Sequence, residues 1–246
     1  MSRKQIKTEL LIHDLKNPLA VVRAGIEGLI SRRDIYGSLT EKQEKVLFRM
    51  LRNIRAAGLM VNDTLELARA EEGIVHKSNV VFGKMITHLL AELFDLMDTG
   101  ISDCIRNCGK AEKIKKITAS GPLFLQFETK IWEQSFFLDE AKTVQILRNL
   151  LGNAFKHKKK RVDFSAGMEK NHIIFSVKDD GPGIPGHYQK KIFESYYQII
   201  PKEYGTVRGH GIGLAGVMTL LRELDGELTL NSESGKGAEF IVKIKI

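Results

Sequence analysis

The chain has 246 residues, 43% hydrophobic and 28% charged, the composition of an ordinary globular protein with length enough for a real core in one or two domains. No apolar run approaches the roughly 20 residues that a membrane-crossing helix needs, and the N-terminus has no signal-peptide pattern, so a cytoplasmic protein without direct membrane insertion is expected. The formal charge of +8 favours anionic partners, nucleotides among them.

From Arg3 to about Arg33, Ile6, Leu10, Leu15, Leu19, Val22, Ile26 and Leu29 recur at helical spacing. Pro18 removes one backbone donor inside that run and predicts a bend. Within this helix His13, Asp14 and Asn17 place an imidazole, a carboxylate and an amide within about one turn, His13 and Asn17 on one face. Residues 34–39 read as a turn. Thr40-Glu41-Lys42-Gln43 has the form of a capping box opening a second helix to about Ala70, with Leu47, Met50, Leu51, Ile54, Met60, Val61, Leu65 and Ala68 on its stripe. A two-helix hairpin cannot cover a continuous apolar stripe alone. Pairing two hairpins into a four-helix bundle does, which predicts a homodimer through residues 1–72. The alternative is a two-helix cap folded on its own C-terminal domain.

Glu71-Glu72-Gly73 closes this all-α unit, so residues 1–73 form one domain, 74–79 a linker and 80–246 a second domain. There the pattern turns to mixed helix and strand. Residues 82–98 read as helix, 99–112 resist assignment, and 113–119 and 122–127 read as strands. A helix follows over 139–157, then strands at 161–166 and 173–179, a helix at 212–224, and strands at 227–231 and 240–246. Strands gathered with helices on one face describe an α+β two-layer sandwich. Cys104 and Cys108 have neither redox nor zinc spacing and read as reduced and structural. Lys156-His157-Lys158-Lys159-Lys160-Arg161 reads as a solvated basic turn, and no nucleic-acid partner is expected.

Three segments of the second domain carry chemistry. Asn149, Asn153, Lys156 and His157 form a polar edge on an otherwise apolar helix. Asparagine is a middling helix former, so two of them among leucines call for a role; an amide oxygen suits Mg2+ and a lysine suits phosphate. In Asp179-Asp180-Gly181-Pro182-Gly183-Ile184, a carboxylate ending a strand can accept from an exocyclic amine while glycines let backbone approach a flat ring; the plain alternative is an Asp-Gly turn. Gly209-His210-Gly211-Ile212-Gly213-Leu214 leads into a helix whose free amides suit a phosphate chain, and its spacing fits neither the dinucleotide fingerprint nor a P-loop. Residues 186–208 between the last two segments, with Tyr196, Tyr197 and Gly205, have the length of a lid.

In order, HDLKNPLA, NLLGNAFKH, DDGPGIP, IFESYYQ and GHGIGLA resemble the H, N, G1, F and G2 boxes of sensor histidine kinases. The resemblance covers nearly the whole chain. It implies a dimerisation and phosphoacceptor domain followed by the catalytic ATP-binding domain shared with gyrase- and Hsp90-type ATPases. By it, His13 is the phosphoacceptor, Asp14 its acidic partner, and Asn17 a residue positioning water for dephosphorylation. Asn153 is the magnesium ligand, with Asn149, Lys156 and His157 nearby. Asp179 reads adenine, and Gly181, Gly183, Ile184, Tyr197, Gly209, His210, Gly211, Gly213 and Leu214 surround the nucleotide. ATP and Mg2+ are the implied cofactors, and a response regulator receiver domain the implied partner. Tyr196 and His210 depart from the family's usual residues, and residues 98–121 are longer than its usual connection. Twelve residues before His13 are too few for a sensor, which implies a fragment lacking it or a separate sensor protein. The rivals are an ATP-binding module that docks a partner without phosphotransfer, and a protein-serine kinase or ATPase on the same fold; the His13/Asp14 pair argues against both.

Overall fold

The structure, a computed structural model, describes residues 3–70, 75–95, 97, 99–194 and 213–246. The chain divides into two compact units, Met1–Glu72 and Gly73–Ile246. In the first, α1 (Arg3–Ser31) and α3 (Glu41–Ala70) pack as a hairpin. α1 runs through Pro18 unbroken. The predicted turn contains one short helix, α2 (Arg33–Tyr36), stopped at Gly37 with φ +85°. Thr40 and Gln43 form the expected reciprocal cap: Thr40 N–H donates to Gln43 Oε1 at 2.8 Å, and Gln43 N–H to Thr40 Oγ1 at 3.3 Å. Ile26 and Leu51 are buried between the helices, whereas Leu15, Val22 and Met50 of the predicted stripe stay 46%, 47% and 43% exposed.

The second unit begins with β1 (Ser78–Val81), so Ser78 and Asn79 belong to a strand although the sequence places them in the linker. β1 pairs antiparallel with β3 (Ser135–Leu138), a four-residue strand too short to leave a periodic signal. Between them lie α4 (Phe82–Asp95), α5 (Thr99–Arg106), α6 (Ala111–Ala119) and β2 (Leu123–Gln126). Residues 113–119 are therefore helix, not strand. Ala111, Ile114 and Thr118 are the buried positions, at steps of three and four, and Thr118 satisfies its hydroxyl on the carbonyls of Ile114 (3.1 Å) and Lys115 (3.2 Å). The unassigned stretch holds α5 and the opening of α6, with α5 pinned to α4 where Ser102 Oγ donates to Asp95 Oδ1 at 2.6 Å and Arg106 pairs with the same carboxylate. Both cysteines carry free thiols, Cys104 exposed and Cys108 buried.

Then come α7 (Glu140–His157), β4 (Val162–Glu169), β5 (His172–Asp179), α8 (Gly213–Glu223), β6 (Glu227–Ser232) and β7 (Ala238–Lys245). Among the described residues five strands form one sheet in the order β2-β4-β5-β7-β6, parallel only at β2–β4. Strand alternation turns Phe164, Phe175, Val177, Phe240 and Val242 inward, where α7 packs on β4 and β5. Phe82 from the start of α4 stacks on Phe175 at 6.5 Å, and Phe175 on Phe164 at 6.2 Å. The architecture is a helical hairpin followed by an α/β two-layer sandwich. Among the described residues no helix is long and apolar enough to cross a membrane.

Candidate functional site

Along β5 the inward positions are Ile173, Phe175 and Val177, and the next in the alternation is Asp179, 6% exposed. A strand rule that buries hydrocarbon thus places a carboxylate at the edge of the core. Its Oδ1 accepts from Gly181 N–H at 2.8 Å. Burial pushes its pKa above the ordinary carboxylate value, and the amides of Gly181 and Ala238 offset only part of that. Such a group is a hydrogen-bond acceptor with little water to satisfy it.

The neighbouring Asp180 faces the other way. Its carboxylate accepts from the amides of Lys159 (2.8 Å), Lys160 (3.0 Å) and Arg161 (3.1 Å), tying the turn after α7 to the end of β5. Burial raises its pKa, but these amides outweigh that and hold it below the usual range. The glycines close the corner. A Cβ on Gly181 would lie 2.4 Å from the His157 carbonyl oxygen. Gly183 (φ +69°) and Gly237 (φ +84°) would each bring one to 2.0 Å from a carbonyl oxygen, of Glu233 and Asp179 respectively. Ile184 N–H donates to Ser232 Oγ at 2.8 Å, Ser232 Oγ donates to Gly237 O at 2.8 Å, and Gln189 Nε2 bridges the carbonyls of Ile184 and Ser232. The loop after β5 is thereby clamped to the β6–β7 turn.

α7 begins at an Asp139 N-cap that accepts from Lys142 N–H at 3.1 Å, and turns Val144, Leu147, Leu150, Leu151 and Ala154 inward. Asn149 and Asn153 are half-buried at the edge of that stripe; Lys156 and His157 reach solvent. Burial lowers the pKa of Lys156. It also lowers that of His157, with the Lys156 charge as a second cause. Since both residues are exposed by accessible area, the crowding behind these shifts is partial and open to water. The start of α8 abuts this edge: a Cβ on Gly213 would lie 3.5 Å from Asn149 Oδ1. Amides at a helix N-terminus, two side-chain amides and a lysine are a setting for polyphosphate.

The structure thus brings Asn149 to the start of α8 at Gly213 and Leu214, Asp179 and Gly181 to the corner where α7 ends at His157, and Gly183 and Ile184 to the β6–β7 turn. Tyr197, Gly209, His210 and Gly211, and most of the proposed lid, lie outside the described residues. His13 and Asp14 lie on α1 by their backbone, their side chains outside the described set, and Asn17 is exposed there. Among the described residues no group of three or more His, Cys, Asp or Glu gathers as a metal site. Mg2+ usually keeps several waters and takes only one or two protein groups besides substrate phosphates, so it needs no such cluster. Sequence reasoning missed Asp180, Gln189, Ser232 and Gly237. The Ser-Glu-Ser-Gly-Lys-Gly run at 232–237 was the available signal, a turn with two glycines facing the Asp179 segment.

A buried carboxylate among close-packed glycines, near side-chain amides and a helix N-terminus, has the features of a nucleotide-binding protein. Comparison with known proteins gives the family. Residues 138–246 match the family described as histidine kinase-, DNA gyrase B-, and HSP90-like ATPase, and residues 11–73 match the His Kinase A (phospho-acceptor) domain. The chain belongs to the sensor histidine kinases. It is 29% identical over 244 residues to the adaptive-response sensory kinase SasA of Nostoc sp., covering 94% of this chain and 54% of that protein. It is 30% identical over 238 residues to the aerobic respiration control sensor protein ArcB of Escherichia coli, covering 94% of this chain and 27% of ArcB. The chain therefore spans about half or less of the length of these relatives. In structure it resembles full-length ShkA in complex with AMPPNP (TM-score 0.63, 23% identity, 97% of this chain and 45% of that one). It also resembles the Acinetobacter baumannii histidine kinase AdeS (TM-score 0.55, 19% identity, 95% and 97% covered), a likeness of fold.

Proposed function

We propose that this chain is an ATP-dependent protein-histidine kinase that phosphorylates His13 and passes the phosphoryl group to an aspartate of a response regulator. The observation that carries the reading is the buried Asp179 carboxylate, with Gly181 packed against it and the end of α7, in a chain whose phospho-acceptor match contains His13. Asp179 accepts from the exocyclic amine of adenine. Asn149, Asn153, Lys156 and the amides opening α8 hold the phosphates. Bound Mg2+, with Asn153 as its protein ligand, would neutralise charge on the transferring phosphoryl group. One imidazole nitrogen of His13 forms the N–P bond as the bond to the ADP oxygen breaks, and Asp14 receives or orients the proton on the other nitrogen. Asn17, one turn on, positions water for hydrolysis of the regulator's aspartyl phosphate. The uncovered apolar face of the hairpin, with Leu15, Val22 and Met50, supports pairing of two hairpins into a four-helix homodimer. We place residues 1–73 as the phosphoacceptor domain, the short segment before β1 as the connection and β1 onward as the ATP domain, with the stimulus arriving from a sensor elsewhere.

Incubation with Mg2+ and γ-labelled ATP tests this. The expected label is acid-labile and alkali-stable; bound nucleotide without label would favour a module that docks a partner without phosphotransfer.

A further inference from the structure

Asp139 uses both carboxylate oxygens, and only one serves the helix it caps. Oδ1 accepts from Lys142 N–H at 3.1 Å, the ordinary N-cap bond. Oδ2 accepts at 2.8 Å from the backbone N–H of His76, 63 residues earlier. The side chain is 3% exposed, so neither bond is easily replaced by water. His76 precedes β1, whose first residue, Ser78, is the register partner of Leu138, the residue before Asp139. The segment that enters the ATP unit is thus fixed, by one strand pair and one carboxylate, to the first turn of α7. Asn149 and Asn153 lie about 15 and 21 Å further along that helix.

We propose that Asp139 is a positioning residue that latches the interdomain segment to α7, so that the arrangement of the segment sets the productive placement of the phosphate-binding edge for phosphotransfer. The latch rests on the kinase reading above. Helices are stiff over this length, so a pull on the Lys142 end of α7 is carried to its amide edge rather than absorbed. Nucleotide binding uses Asp179, the loops and the groups of the α7 edge, all of which are present whatever the arrangement of the segment, so it needs no latch. Transfer to a histidine on a separate unit does.

The test uses the full chain with Asp139→Asn and Asp139→Ser, both of which keep an N-cap acceptor while removing the acceptor facing His76 N–H. His76→Pro removes the donor without touching α7. The expected result is that nucleotide affinity and the KM for ATP stay at the unsubstituted value, while the autophosphorylation rate at saturating ATP falls about ten-fold, the worth of one charge-assisted bond. Asp139→Asn combined with His76→Pro should be no slower than either alone, because both cut the same bond. Unchanged rates, additive losses, or a loss of ATP affinity that accounts for the rate would overturn the latch. If the unsubstituted chain takes no label, the kinase reading itself fails and the latch with it, which is a different result from loss confined to the variants.

Discussion

Lys142 and Glu223 form a buried ion pair between the first turn of α7 and the last turn of α8, their side chains 8% and 10% exposed. Each sits at the wrong end of its helix dipole, a lysine near an N-terminus and a glutamate at a C-terminus, so each depends on the other more than on its helix. Among the described residues Glu223 Oε1 already lacks a hydrogen-bond partner. Lys142→Met therefore leaves a buried carboxylate with no compensating charge, and the cost of stranding one member of such a pair is about 3–5 kcal/mol. Glu223→Met should cost a similar amount. The double variant should recover most of it, since two methionines in place of a buried pair are often neutral or better. Trp132 is the only tryptophan and is buried in the second unit, so its fluorescence reports that unit's unfolding alone. With a urea slope of about 2 kcal/mol/M, each single variant should lower the midpoint by about 2 M. A single-variant shift below about 0.5 M, or a double variant as damaged as the sum of the singles, would refute the claim that the pair is interdependent.

Asp179→Asn keeps the oxygen that accepts from Gly181 but removes the desolvated charge. Because burial raises the folded pKa of Asp179, its ionised form opposes folding: that contribution to stability is fully present below 3.8 and lost as pH rises through the folded value. The variant should thus be at least as stable as the parent at neutral pH by urea titration, yet bind ATP at least about ten-fold more weakly by calorimetry. Asp180 has the opposite sign. Its pKa is lowered, so its stabilisation holds above 3.8 and is lost as pH falls through the folded value; Asp180→Ala should cost about 1 kcal/mol at pH 7 and flatten the acid side of the stability profile. Gly183→Ala meets a left-handed backbone and a Cβ 2.0 Å from Glu233 O, and should lose at least about 2 kcal/mol in melts together with nucleotide binding.

Long amphipathic segments were readable because their burial is periodic: α3 with its Thr40/Gln43 cap, α7 with its leucines, β5 with its alternation. The same alternation singles out Asp179 over Asp180, since only the former continues the inward positions Ile173, Phe175 and Val177. Short elements were not readable. β3 spans four residues, and residues 113–119 of α6 read as strand because they carry two isoleucines and a threonine, residues common in strands. The clamps, Asp180 on the 159–161 amides, Ser232 on Ile184 and Gln189, and Asp139 on His76, join residues 19 to 63 positions apart. No periodicity encodes such pairs; only the folded register brings them together.

Mapping where the phosphoryl group lands separates a histidine kinase from a nucleotide-binding docking module. The chain is incubated with Mg2+ and γ-labelled ATP, digested at alkaline pH, and compared with His13→Gln and Asp179→Asn. Label is expected on the peptide containing His13 and on neither variant. Label on any other residue, or on His13→Gln at the parental level, would contradict His13 as the phosphoacceptor.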